Sequence, residues 1–139
     1  MTKNYWLLKS EPSTWSWDDQ VKSNIDMWDG VRNYQARNNL MKMRKGDQCF
    51  FYHSVNEKSV IGIVEVHKQY YPDPTDKNKK FVAIDVKALK KLKNPVTLNR
   101  IKNNNKLRNI PLIKQSRLSV MPLTNDEFKE IIKLSNKDG

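Results

Sequence analysis

Residues 48–67 decide how this chain folds. They run Gln48-Cys49-Phe50-Phe51-Tyr52-His53, then polar Ser54-Val55-Asn56-Glu57-Lys58-Ser59, then Val60-Ile61-Gly62-Ile63-Val64-Glu65-Val66-His67. Two apolar runs of strand length, rich in aromatic and β-branched residues and joined by a polar segment, predict a hairpin. Upstream, Tyr5-Trp6-Leu7-Leu8-Lys9 reads as a buried strand ended by the turn-former Pro12. Ser16 with Asp19 three residues later predicts a capped short helix over 17–22. Trp28-Asp29-Gly30-Val31 carries an Asp-Gly turn signal, and Ala36, Leu40 and Met43 stand at helical spacing within 33–43, closed by Gly46.

Downstream, Tyr70-Tyr71-Pro72-Asp73-Pro74-Thr75 and the charged run 77–80 predict a loop, because two prolines cannot stay in a central strand. Val82, Ile84, Val86 and Ala88 then alternate with Ala83, Asp85 and Lys87, the mark of a strand with one buried face. Thr97 is placed to cap a helix over 98–102 that Asn103-Asn104-Asn105 breaks, and 117–121 is a further strand candidate. Thr124 and Glu127 form a capping box for a last helix whose apolar face is Phe128, Ile131 and Ile132. Five or six strands with three or four short peripheral helices predict an α+β fold with a curved, barrel-like, mostly antiparallel sheet. No internal repeat or linker interrupts it, so one domain over 1–139 is expected.

Charge speaks to partners. Twenty-six Lys and Arg against fifteen Asp and Glu leave a formal net charge of +11, a field that concentrates polyanions around the protein. Lys and Asn are both frequent, which a base-composition bias in the coding sequence also produces, so the charge favours nucleic acid without proving it. Cys49 is the only cysteine, which excludes an internal disulfide. The four-residue apolar stretch 5–8 is too short for a signal peptide, and no apolar run is long enough for a membrane span. A cytoplasmic protein is expected, nuclear in a eukaryotic source, with no membrane partner and a monomeric state.

Several chemistries are disfavoured. Two histidines and one cysteine supply none of the paired spacings of a structural zinc site, so no metal is expected. Cys49 and His53 on one strand would lie roughly 13 Å apart, too far for a nucleophile and its base. The glycines stand alone at 30, 46, 62 and 139, so no phosphate loop exists and no cofactor is expected.

What remains is aromatic and polar. Trp6 belongs to a strand and to the core, whereas Trp15, Trp17 and Trp28 flank turns, where a large ring needs a packing partner or a planar ligand. Stacking a base on an aromatic ring contributes about 1–3 kcal/mol whatever the base. Ser10, Glu11, Asn33, Tyr34, Gln35, His53, Ser116 and Ser119 offer donors and acceptors suited to a base edge. Arg32, Arg37, Arg44 and Arg117 are candidates for phosphate contact. The dense cluster Arg32, Asn33, Arg37 and Asn38 fits a solvated helix face equally well.

Four blocks carry a family resemblance: Tyr5 through Ser13, Trp28 through Asn38, Phe51-Tyr52-His53-Ser54, and Gln115 through Pro122. They resemble the signature blocks of EVE-domain proteins, the thymocyte nuclear protein-like family of the PUA-like superfamily, over essentially the whole chain. The resemblance implies a PUA-like fold. By similarity to YTH domains it also implies an aromatic pocket in which Lys9-Ser10 and Trp28 match the pocket's start and one wall. It further implies DNA binding with a modified cytosine or adenine flipped into that pocket, at a cost of a few kcal/mol that stacking and edge bonds offset.

Three functions are then weighed. The first is a non-enzymatic reader, with Ser10, Glu11, Trp15, Trp28, Asn33, Tyr34, His53, Ser116 and Ser119 at the base and Lys9, Arg32, Arg37 and Arg117 at phosphates. The second is a small hydrolase of modified nucleobases or nucleosides, with Lys9 and Glu11 as an acid–base pair on one face of an extended chain. The third is an RNA-binding module of the kind PUA-like folds commonly provide.

Overall fold

A computed structural model describes residues 3–137. Its strands are β1 (Tyr5–Ser10), β2 (Ile25–Trp28), β3 (Gln48–His53), β4 (Ser59–Pro72), β5 (Val82–Thr97) and β6 (Val120–Leu123). Its helices are α1 (Trp17–Ser23), α2 (Tyr34–Lys42), α3 (Leu98–Lys102), α4 (Pro111–Lys114) and α5 (Asn125–Asn136). The strands form one open, mixed sheet in the order β2-β5-β4-β3-β1-β6. Only β1 and β3 run parallel; the remaining neighbours are antiparallel. The α+β expectation therefore holds, with five helices where three or four were expected.

The predicted hairpin sits in the middle of this sheet. Successive residues of a strand face opposite sides, and β3 uses both. Phe50 stacks on Phe128 of α5 at 4.2 Å, and Tyr5 stacks on Phe128 from β1 at the same separation. Phe51 points the other way, meeting Trp17, Trp28 and His53 edge to face at 5.5–5.6 Å. Phe50 and Phe51 are both fully buried, and Cys49 beside them is core as well.

The caps legible in the sequence form as read. Ser16 and Asp19 make a reciprocal capping box on α1, and Thr124 and Glu127 make another on α5. A third device holds α1: the backbone N–H of Trp17, an orphan donor at the helix start, donates to Nε2 of His53 (3.0 Å).

Three segments differ from expectation. β4 continues through Tyr70 and Tyr71 to Pro72, because beyond Glu65 it pairs with β5 alone. A proline on that open side forfeits no ladder bond. β5 likewise runs past 88 to Thr97, through register shifts; in this stretch Asn94 exchanges hydrogen bonds with Ser135 of α5. β2 is a short edge strand that the sequence does not announce, since of its four residues only Trp28 is buried. In addition α4 starts on Pro111, and β6 begins at Val120 rather than at 117.

Register shifts recur along β3–β4 and β4–β5. Each such irregularity increases local twist and bends the strand, so the sheet curls. Its curl accommodates Trp17, whose ring lies directly over Gly62, the residue paired with Phe51. A Cβ at position 62 would meet that ring at 2.6–2.7 Å. Gly62→Ala is expected to destabilise the fold by about 1–3 kcal/mol through overpacking. Equilibrium urea unfolding reads this as a lower midpoint at unchanged slope; an unaltered midpoint would mean that the tryptophan moves aside freely.

Candidate nucleic-acid interface

Residues from opposite ends of the curled sheet line one cavity of about 560 Å³. The end of β1 and the following loop supply Lys9, Ser10, Glu11, Thr14 and Trp15. Edge strand β2 and the turn after it supply Asp26, Met27, Trp28, Asp29, Gly30, Val31 and Arg32. Ser119, leading into the opposite edge strand, completes the wall. Sheet edges can share a cavity only because the sheet has curled without closing. The volume lies within the range of small-molecule sites.

Two tryptophans wall the cavity differently. Trp28, although it lines the cavity, is only 7% exposed and held edge to face against Phe51, so it belongs mainly to the core. Trp15 is half-buried and presents more of its surface. Its indole N–H donates to the side-chain oxygen of Gln20 (2.9 Å), a fully buried residue whose amide in turn donates to Asn24 and Val86 carbonyls. The Ser10 hydroxyl donates to the Trp15 carbonyl, which pins the loop to β1.

The rim after Trp28 is held by one buried carboxylate. Asp73, from the β4–β5 connection, accepts from the N–H of Gly30 (2.8 Å), from Arg32 (3.0 Å), and from the N–H and hydroxyl of Thr75 (2.7 and 2.6 Å). Burial by itself would raise the Asp73 carboxyl; the bonds from Thr75, Gly30 and Arg32 outweigh it and hold the group at about 2. Gly30 sits at φ +79°, the left-handed conformation that the turn requires and glycine tolerates.

Of the residues singled out in the sequence, Lys9, Ser10, Glu11, Trp15, Trp28, Arg32 and Ser119 line this cavity. Arg32 is committed to the rim: it donates to Asp73, to the Val31 carbonyl and to the Thr75 hydroxyl. Lys9 donates to the Ser116 carbonyl (2.7 Å), and its burial lowers the ammonium from its ordinary value. Lys9 and Glu11 both line the cavity, and no ion pair joins them among the described residues.

Asn33, Tyr34, Arg37, His53, Ser116 and Arg117 lie elsewhere, each for a physical reason. Asn33 spends its side-chain oxygen capping α2 through the N–H of Ala36. Tyr34 is 53% exposed, stacked on Phe81 at 5.0 Å, with the Arg37 guanidinium 4.9 Å over its ring. Arg37 donates to the Lys80 carbonyl and to Asn38. His53 stands behind the aromatic wall: Nε2 accepts from Trp17, which leaves Nδ1 to donate to Glu57 (3.1 Å). Ser116 borders a second, smaller cavity, and Arg117 is exposed away from both.

Sequence reasoning passed over Thr14, Asp26, Met27, Asp29 and Val31. Asp29 and Val31 lie in the turn already recognised, whereas β2 has no alternating pattern to flag Asp26 and Met27. Asp26 is engaged by the Ser23 hydroxyl and the Met27 N–H, both at 2.7 Å. Glu11 and Asp29 are exposed carboxylates on the cavity wall. Among the described residues no cluster of His, Cys, Asp and Glu could hold a metal ion, and no helix is long and apolar enough to cross a membrane.

A family profile described as the EVE domain matches residues 4–134. Thymocyte nuclear protein 1 of Gallus gallus is 35% identical, covering 99% of this chain and 71% of its own length. A solution structure of a Rhodopseudomonas palustris protein superposes with TM-score 0.90 at 48% identity, over 95% of this chain and 92% of that one. The crystal structure of human thymocyte nuclear protein 1 in complex with DNA containing 5-methylcytosine superposes with TM-score 0.90 at 32% identity, over 99% of this chain and all of that one.

The Asp73 geometry sets a pH dependence. A carboxylate held at about 2 in the fold and near 3.8 when unfolded stabilises above the upper value and loses that contribution as pH falls through the lower one. Its contribution is roughly 1–2 kcal/mol, discounted because solvent screens the partly exposed Arg32 partner. Thermal melts between pH 5 and 2 should therefore show a decline in the parent that Asp73→Asn, less stable at neutral pH, shows to a smaller degree.

Proposed function

We propose, proceeding from the fact that this chain belongs to the EVE-domain family, that it is a non-enzymatic DNA-binding domain. It accepts one modified cytosine, rotated out of the helix, in the cavity between Trp15 and Trp28. The observation that carries this reading is a cavity of base-accommodating size with aromatic walls and two carboxylates, Glu11 and Asp29, that make no hydrogen bond to the described residues, in a protein of net charge +11. A human relative at 32% identity is known in complex with DNA containing 5-methylcytosine, which supports the same class of ligand here.

Physical chemistry assigns the roles. The basic surface attracts the phosphate backbone and gives salt-sensitive binding to any sequence. Extruding a base costs a few kcal/mol, which stacking on Trp15, with Trp28 as the opposite wall, offsets. Glu11 and Asp29 accept hydrogen bonds and donate none while ionised, so they suit a base bearing an exocyclic amino group. That chemistry fits the N4 amine of cytosine and disfavours thymine, whose exposed carbonyls would face them.

Met27 and Val31 supply apolar surface for a substituent on the ring. Burying one methyl contributes about 0.8 kcal/mol, which alone gives a preference of about fourfold over plain cytosine. The Ser10 hydroxyl serves structure, since it donates to the Trp15 carbonyl. Recognition without turnover is the function this arrangement supports.

Trp15→Ala is expected to weaken binding to a duplex carrying 5-methylcytosine by about 5-fold to 100-fold. Weak binding to unmodified duplex should persist and keep its salt dependence. Paired fluorescence titrations at fixed salt measure both affinities; an unchanged preference for the methylated duplex would remove Trp15 from the base site. Trp28→Ala should lose the preference too, but with about 3–5 kcal/mol of stability, because that ring is also core.

A further inference from the structure

The second cavity, about 270 Å³, shares a wall with the first. Lys9 lines both, its ammonium tied to the Ser116 carbonyl by one of its three donors. Beyond Lys9 the smaller cavity is lined by Tyr52, Ser54, Val55, Lys58, Leu98, Leu112 and Ser116. None of these side chains is acidic. The larger cavity, by contrast, carries Glu11, Asp26 and Asp29. The first cavity sets those three carboxylates against Lys9 and Arg32, whereas the second has Lys9 and Lys58 with no carboxylate, so an anion is favoured in the second.

Two further observations point to a ligand. No fully buried side-chain oxygen or nitrogen lacks a partner among the described residues. The hydroxyl of Tyr52 has none there, although the residue is only 2% exposed, so it opens onto the cavity it lines. Burial pushes that phenol up to about 12, so it stays a donor throughout the physiological range. Val55, on the segment joining β3 to β4, is held at φ +75°, an unfavourable conformation for a β-branched residue, and Lys58 at φ +44°. Main-chain bonds anchor this segment at both ends, from the Ser54 N–H to the Ser10 carbonyl and from the Leu98 N–H to the Lys58 carbonyl.

We propose that this second cavity is a phosphate subsite, in which Lys9, Lys58 and the Tyr52 hydroxyl bind the phosphate joined to the sugar of the flipped nucleotide. The proposal rests on the base reading of the larger cavity. Lys9 then stands between the two parts of one nucleotide: base on its acidic, aromatic side and phosphate on its basic side. The arrangement also sorts the cations. Arg32 and Arg37 are engaged within the fold, while Lys58 makes no side-chain bond to the described residues.

The test compares 5-methyl-2′-deoxycytidine with its 3′- and 5′-monophosphates by NMR titration of the full chain, with inorganic phosphate as a separate arm. One monophosphate should bind about 10-fold tighter than the nucleoside. Lys58→Gln or Tyr52→Phe should reduce that advantage to less than threefold while leaving nucleoside affinity unchanged. Inorganic phosphate should shift the amides of residues 54–58 saturably in the parent and not in Lys58→Gln. Equal affinities for nucleoside and both monophosphates would overturn the proposal, as would an advantage that survives both substitutions. Phosphate shifts without a monophosphate advantage would mark a free-anion site and also overturn it. Failure of the nucleoside to bind, with the phosphate shifts intact, would instead count against the base reading alone.

Discussion

The ring of Phe51 is the point on which the cavity depends. It sits at the centre of the sheet and meets Trp17, Trp28 and His53 edge to face. Each such aromatic contact contributes about 0.5–1.5 kcal/mol beyond its buried area. Gly62 opposite Phe51 leaves the space that Trp17 fills, and His53 bonds the first N–H of α1. The start of α1 and the end of β2 are thereby fixed against one ring. Trp15 and Trp28, the two walls of the cavity, are attached to those two elements. For the proposed stacking on a base such prior rigidity matters, since ordering a wall during binding would consume the stacking energy.

Electrostatics divides the molecule by distance. At long range the surplus of eleven positive charges draws a polyanion from any direction. At short range the large cavity is acidic, and its rim is organised by the buried carboxylate of Asp73. The same protein can therefore attract a phosphate backbone over its surface and still disfavour phosphate in the cavity proposed for the base. Arg32 shows how context changes a residue's meaning. In isolation its guanidinium suits a phosphate, but here Asp73 and Thr75 bind it, and it shapes the turn after Trp28.

Local devices were legible in the chain. The capping boxes Ser16–Asp19 and Thr124–Glu127 are complete within four residues. The Asp-Gly turn at Gly30 and the central apolar runs likewise need no distant partner to be read. So does the family resemblance, since its blocks are contiguous. β2, by contrast, is a strand only because β5 pairs with it, and the extension of β4 to Pro72 depends on which of its edges is open. Such features follow from neighbours far away in sequence.

The candidate site divides along the same line. Sequence by itself determined that aromatic rings and polar groups near residues 9–32 were available for a planar ligand, and that the protein was basic. Tertiary structure decided which of them were free. An amide, imidazole or guanidinium has a fixed number of donors and acceptors, and a fold uses them wherever they satisfy its own backbone. Asn33 was used to cap a helix, His53 to hold Trp17 and Arg37 to bind Lys80 and Asn38, while Glu11 and Asp29 remained open on the cavity wall. Composition records what a side chain can bond; only the packed chain shows what it has already bonded.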